Sequence, residues 1–126
     1  MILLAGIALA VVALLHLAFL VLEMFLWTRP FGRRVFGLSV EEAQTSAKLA
    51  ANQGLYNGFL AAGLVWGLQA GDAGFSVRVF FLVCVVIAGL FGAATAKRSI
   101  LWVQAFPAAV ALALVLLAHA RAAGGP

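Results

Sequence analysis

The sequence predicts an all-α integral membrane protein built as an antiparallel bundle of four transmembrane helices. Of its 126 residues, 66% are apolar and 10% are charged, which is too little polar surface to cover a soluble domain. Four apolar runs each reach the ~20 residues that cross a hydrocarbon core, and short connections are typical of antiparallel neighbours. We expect a single domain over residues 1–126 with helices at about 3–27, 40–69, 76–96 and 99–120.

The ends of these helices follow from local signals. The first apolar run has no basic start and no small-residue cleavage site, so we expect it to be retained as a helix. Arg29-Pro30 should end it, because a residue before proline avoids the α conformation. Ser39 and Glu42 have the spacing of a capping box and predict the start of the second helix. Pro107 should kink the fourth helix, and the tail from Arg121 to Pro126 should fray.

The basic residues give the orientation. Under the positive-inside rule, the first and third connections are cytoplasmic, and both termini are extracytoplasmic. The basic side chains adjoin helix ends, so anionic lipid headgroups rather than nucleic acid are their expected partners. The residues expected to bind headgroups are Arg29, Arg33, Arg34, Lys97 and Arg98.

Polar side chains collect in the cytoplasmic half of the predicted bundle. Glu23 lies seven residues after His16, nearly on the same face of the first helix. Polar groups that face lipid have no hydrogen-bond partner, which is costly. We therefore expect a pocket open to the cytoplasm that binds a small amphiphilic or lipid-like ligand. Its expected ligand-binding residues are His16, Glu23, Asn52, Gln53, Tyr56, Asn57 and Gln104.

Several kinds of site are not indicated. One Glu and one His on a helix, with Cys84 far away, do not form a metal-site pattern. No catalytic triad can be assembled, because Asp72 is the only aspartate and lies in the turn between the second and third helices. We find no phosphate loop and no dinucleotide fingerprint. The sequence thus predicts no metal, no cofactor and no catalytic residue.

Two sequence blocks carry a resemblance to a known family. They are Leu22-Glu23-Met24-Phe25-Leu26-Trp27-Thr28, which leads to Arg34-Val35-Phe36-Gly37-Leu38, and the run from Ala51 to Gly63. Together they resemble an uncharacterised family of small bacterial membrane proteins, domain of unknown function 1304. This resemblance implies a four-helix protein of a bacterial inner membrane and implies no activity.

A fainter resemblance is to the membrane-associated eicosanoid and glutathione enzymes, which are four-helix chains that form trimers. It depends on a basic cytoplasmic loop followed by a helix that opens with Asn52 and other polar residues. The thiol-activating arginine of those enzymes has no match here, and Tyr56 stands near the position of their acidic residue.

Three functions remain open at this stage. The first is binding or transport of a small amphiphile in the polar pocket. The second is a structural or accessory subunit, in which the polar layer joins the helices and Glu23 accepts hydrogen bonds from Asn52, Gln53 or Tyr56. The third is an enzyme that acts on a lipophilic substrate. Rows of small residues such as Gly54, Gly58 and Ala62 fit packing within the chain and also a homo-oligomer.

Topology provides a first test. With both termini extracytoplasmic, a cysteine at position 36 should react only with reagents that reach the cytoplasm, and one at the carboxyl terminus only with external reagents. Cysteine-accessibility mapping in intact cells measures this, with the native Cys84 replaced by serine. The reverse labelling pattern would refute the orientation.

Overall fold

The chain folds into helices throughout the part that a computed structural model describes, residues 1–124. Gly125 and Pro126, the end of the tail expected to fray, lie outside the described residues. The five α-helices are α1 (Ile2–Val21), α2 (Pro30–Phe36), α3 (Val40–Gln69), α4 (Phe75–Thr95) and α5 (Phe106–Ala123). Two π-helical segments, Leu22–Leu26 and Leu101–Ala105, and a 3₁₀ segment, Gly71–Gly74, complete the order. The prediction of an all-α fold is confirmed.

Among residues 1–124, three helical stretches are long and apolar enough to cross a membrane, namely Ile2–Leu26, Gly71–Thr95 and Leu101–Ala123. Helix α3 is the longest, with 30 residues, but it is not among these three. Its polar residues, among them Asn52, Gln53 and Asn57, lower its average hydropathy. The structure thus supports a membrane protein with three apolar candidate spans, and the fourth span stays a prediction.

The residues divide into two compact units, one made of Met1–Ala13 with Ala62–Pro126 and the other of Leu14–Ala61. In the second unit, the end of α1 and the first π-helical segment pack antiparallel to the first half of α3. Gly54 and Gly58 make this approach close, since a Cβ at Gly54 would lie 2.7 Å from Met24 Cγ, and one at Gly58 would lie 2.6 Å from Leu20 Cδ1. Gly54 and Gly58 of the expected row of small residues are therefore packing positions within the chain, whereas Ala62, its third member, is exposed.

The first connection contains a short helix that the sequence analysis did not predict. Arg29 is extended (φ −77°, ψ 156°) and Pro30 opens α2, so proline ends one helix and starts the next. Gly37 closes α2 with φ 70°, a left-handed conformation that favours glycine. A Cβ on Gly32 would collide with the Leu26 carbonyl, so α2 lies directly against the end of the first π-helical segment.

The capping box predicted for α3 is confirmed. The Ser39 backbone N–H donates to Glu42 Oε2 at 2.8 Å, and the Glu42 backbone N–H donates to Ser39 Oγ at 3.1 Å. Two N–H groups at the helix start are thereby satisfied. The hydrogen bonds with Ser39 hold the pKa of Glu42 below its usual value of 4.5.

In the other unit, α4 packs antiparallel to the second π-helical segment and α5. A Cβ on Gly89 would lie 2.6 Å from the Ala105 nitrogen, so the two backbones nearly touch there. Near the other end of the pair, the Phe75 and His119 rings stack with centroids 3.7 Å apart. Leu82, Val85, Ala108 and Ala111 fill the core between the two helices.

Pro107 acts on the backbone before it, as the sequence suggested. Proline has no N–H for the carbonyl of Val103, and the preceding residues Leu101–Ala105 form π-helix. The Phe106 N–H bonds the Leu101 carbonyl, five residues earlier. The local change is thus a widened helical turn. Helix α5 continues to Ala123, so the residues Arg121 to Ala123 of the tail are helical and not frayed.

The depressed pKa of Glu42 predicts a pH dependence of stability. A carboxyl group with a folded-state pKa below its unfolded value stabilises the fold above that unfolded value, and this contribution is lost as pH falls through the folded pKa. We expect the melting temperature of the parent to exceed that of Glu42→Gln near neutral pH, and this difference to shrink below about pH 4.5. Thermal denaturation in detergent measures it. Glu41→Gln, in the same turn, controls for charge, and a difference that is constant with pH would contradict the assignment.

Candidate functional site

A hydrogen bond between Glu23 and Asn57 is the centre of the candidate site. Asn57 Nδ2 donates to Glu23 Oε2 at 2.7 Å, which joins the first π-helical segment to α3. Asn57 is buried with 6% of its surface exposed, and Glu23 is half-buried. This geometry is that of a charge-assisted hydrogen bond when the carboxyl group is ionised. The sequence analysis expected Asn52, Gln53 or Tyr56 as the donor, but the structure brings Asn57 to Glu23.

The polar face expected on α3 divides in two because of helical geometry. At ~100° per residue, Asn52 lies about 140° around the helix from Asn57. Asn57 borders the small-residue face that contains Gly54 and is buried. Asn52 is exposed, and Tyr56 is 54% exposed with its ring edge-on to Phe59. Asn57 therefore faces the interior of its unit, while Asn52 and Tyr56 face outward.

A small cavity lies beside the Glu23 carboxylate. Its volume is about 290 Å³, at the lower limit of sites that hold small molecules. Gln53, exposed at the edge of the buried face, reaches this cavity. Glu23, Gln53 and Ser46 supply the polar groups of the cavity, and Trp27, Leu49 and Ala50 supply its apolar wall. The lining side chains are Glu23, Trp27, Ser46, Leu49, Ala50 and Gln53.

Trp27 holds the end of this cavity in place. Its Nε1–H donates to Ser46 Oγ at 3.0 Å, and Ser46 Oγ donates to the Glu42 carbonyl at 2.6 Å. The Trp27 ring also packs on Phe36 of α2, with centroids 4.6 Å apart. Trp27 therefore joins α2 and α3 to the residues after α1.

His16 and Gln104, which were also expected to bind the ligand, do not line this cavity. His16 is fully buried, with its ring edge-on to Phe19 at 5.7 Å, and it is not among the lining side chains. Gln104 is half-buried in the second π-helical segment, which belongs to the other unit. The structure thus brings Glu23, Gln53 and Asn57 together and does not add His16 or Gln104 to them.

The basic residues expected to bind headgroups are mostly solvent-accessible. Arg29 and Arg34 are exposed around α2, and Lys97 and Arg98 are exposed in the connection between α4 and the second π-helical segment. Arg33 differs, since it is half-buried and its Nε is a buried donor without a hydrogen-bond partner among the described residues. Its backbone carbonyl accepts from Gly37 and Leu38 at the end of α2.

Sequence reasoning missed Trp27 and Ser46 as members of the site. Ser46 lies seven residues after Ser39, on nearly the same face of α3. Only its tertiary contact with Trp27 identifies Ser46 as a site residue. A sequence signal did exist for Asn57, because it adjoins Gly54 and Gly58, which mark the packing face. An amide beside such a row is placed toward the neighbouring helix.

Comparison with known proteins gives a family but no activity. Residues 10–116 match the family model described as protein of unknown function (DUF1304). The uncharacterized protein YpaA of Lactococcus lactis subsp. lactis (strain IL1403) is 30% identical over 103 residues, which cover 80% of this chain and 87% of that protein. No solved structure matches.

The contrast between Asn57 and Asn52 can be measured. Asn57→Ala should lower the free energy of unfolding by about 1–3 kcal/mol, because it leaves the half-buried Glu23 carboxyl group without its partner. Asn52→Ala removes the same type of side chain from an exposed position and should change the free energy of unfolding by less than about 0.5 kcal/mol. Denaturant titration of both variants in the same detergent compares them. Equal losses would show that the Glu23–Asn57 bond does not stabilise the fold.

Proposed function

Since the chain belongs to the DUF1304 family, whose description gives no activity, we propose a function from its geometry. The protein is a polytopic membrane protein that binds a small amphiphilic ligand in the cavity beside Glu23. Helix α3 serves as the fourth span, both termini are extracytoplasmic, and the cavity opens toward the cytoplasm. The observation that carries the proposal is a half-buried carboxylate which borders a cavity and shares it with Gln53 and Ser46.

Outward-facing apolar side chains support the membrane location. Phe25 is 64% exposed, Phe91 is 69% exposed and Trp102 is 65% exposed. A surface of this kind aggregates in water, but it costs nothing against lipid tails. The antiparallel packing of α3 on the end of α1 and the first π-helical segment supports its role as a span. Exposed Arg29, Arg34, Lys97 and Arg98 then lie in the two connections assigned to the cytoplasmic side, where anionic bacterial inner-membrane lipids attract them.

The size of the cavity limits the ligand. A volume of about 290 Å³ admits a polar headgroup or a short chain but not a whole diacyl lipid. The polar part of the ligand contacts Glu23, Gln53 and Ser46, and Leu49 and Trp27 provide the apolar wall. The remainder of a longer amphiphile lies along the exposed apolar surface, in contact with membrane lipid. A carboxylate and an amide in the lining favour a ligand that donates hydrogen bonds.

A structural function is the second candidate, and the same hydrogen bond favours it. Glu23 and Asn57 join two helices directly at 2.7 Å, next to the close contact at Gly54. Interhelical hydrogen bonds of this kind stabilise membrane helix pairs by about 0.6–2 kcal/mol each. In this alternative the polar layer fixes the packing of an accessory subunit, and no ligand is needed.

Ligand retention measured together with stability separates the two candidates. Native mass spectrometry of protein extracted with its own lipids identifies a retained ligand, and thermal denaturation is measured on the same samples. We expect Gln53→Ala to lose at least half of the retained ligand with an unchanged melting temperature, because Gln53 lines the cavity but is exposed. Glu23→Gln should fold, since its amide can still pair with Asn57, and should lose the ligand.

Asn52→Ala is the matched control, because it removes an exposed amide that does not line the cavity. A parent protein without ligand, together with a large loss of stability in Glu23→Gln, would favour the structural function. Unchanged stability and unchanged ligand content in all three variants would show that the cavity beside Glu23 is not the binding site.

A further inference from the structure

A second cavity lies at the turn between α3 and α4, in the unit of Met1–Ala13 and Ala62–Pro126. Its volume is about 510 Å³, within the range of sites that hold small molecules. It shares no lining residue with the cavity beside Glu23. Most of its wall is apolar, from Ile2, Ala5, Leu68, Phe75 and Val115, and three ionisable residues, Asp72, Arg78 and His119, also line it.

Arg78 is held in a fixed position at this cavity. Its Nη2 donates to the Gly71 carbonyl at 2.9 Å, and its aliphatic stem packs on Gly67, where a Cβ would lie 2.8 Å from Arg78 Cγ. The Arg78 side chain also lines the cavity. An anionic group in the cavity would be attracted to its guanidinium, because a guanidinium carries a delocalised positive charge and binds phosphate or carboxylate through its N–H groups.

Asp72 supplies the opposite charge at the same cavity. It lies exposed in the 3₁₀ segment Gly71–Gly74, one residue after the Gly71 carbonyl that Arg78 bonds. A simple anion would be attracted by Arg78 and repelled by Asp72. A group that carries both an anion and an ammonium satisfies both side chains. The pair therefore favours a zwitterion over an anion.

The rest of the lining favours an amphiphile. The Phe75 and His119 rings stack nearly parallel, at 13°, and form one wall. Ala5 and Val115 are buried, while Ile2 and Leu68 are exposed at the edge of the apolar surface. Apolar chains can pass from the cavity onto that surface without crossing a polar barrier.

We propose that this cavity binds a phosphoethanolamine headgroup, with the phosphate on Arg78 and the ammonium on Asp72. In the topology proposed above, the cavity faces the extracytoplasmic leaflet. The proposal does not depend on the site beside Glu23, since the two cavities have no residue in common.

Native mass spectrometry of the full chain in detergent, titrated with phosphatidylethanolamine or phosphatidylglycerol, tests the proposal. The parent should prefer phosphatidylethanolamine. Asp72→Asn should reduce this preference about fivefold or more, and Arg78→Gln should weaken binding of both lipids about tenfold, as charge-assisted hydrogen bonds at a partly exposed site imply. Arg121→Gln removes an exposed charge that does not line the cavity. It should change neither the preference for phosphatidylethanolamine nor the affinity for the two lipids.

Soluble headgroups distinguish recognition of the headgroup from general lipid adhesion. Excess glycerophosphoethanolamine should displace phosphatidylethanolamine from the parent, and glycerophosphoglycerol should not. Equal displacement by both compounds, or by neither, contradicts the proposal. So does an equal affinity of the parent for the two lipids. Asp72→Asn changes only an exposed turn residue, so the test stands even if Arg78→Gln does not fold.

Discussion

Close backbone approach at small residues is the interaction on which the packing of this chain depends. Its outward surface is apolar, so in a membrane the helices gain little from burying more apolar area against one another. Van der Waals contact must replace that gain, and it requires helices that nearly touch. Gly54 and Gly58 allow this between α3 and the end of α1, and Gly89 allows it between α4 and the second π-helical segment. A methyl group at Gly89 would collide with the Ala105 backbone, and one at Gly54 would collide with Met24, whereas one at Gly58 would displace the end of the Leu20 side chain.

The few polar side chains must form hydrogen bonds with particular residues of neighbouring helices, because lipid offers them no alternative partner. Glu23 pairs with Asn57 beside the Gly54 contact. Trp27, four residues after Glu23, pairs with Ser46 closer to the first connection. These two hydrogen bonds fix the register of the antiparallel pair, whereas apolar contacts alone tolerate sliding. The same arrangement leaves Gln53 at the edge of a cavity, so packing and ligand binding would use adjacent residues of one helix.

Each of the two π-helical segments contains a polar side chain that was expected to bind the ligand. Glu23 is within the first π-helical segment, and Gln104 is within the second. Such segments widen a helix by one residue per turn and redirect the side chains that follow, and they are frequent at functional sites. For the second segment the cause is Pro107, which cannot donate to the carbonyl of Val103. For the first segment the sequence contains no proline or glycine that accounts for it.

The sequence by itself determined the all-α class, the capping box of α3 and the effect of Arg29-Pro30, because composition and local backbone rules govern all three. It also indicated that Glu23 and the second helix meet. It could not decide which amide meets Glu23, because Asn52, Gln53 and Asn57 have the same chemistry, and only the rotation of α3 about its axis separates them. That rotation is set by where Gly54 and Gly58 contact Leu20 and Met24. Likewise the Trp27–Ser46 bond and the cavity at Arg78 arise from contacts between residues distant in the chain, which local patterns do not encode.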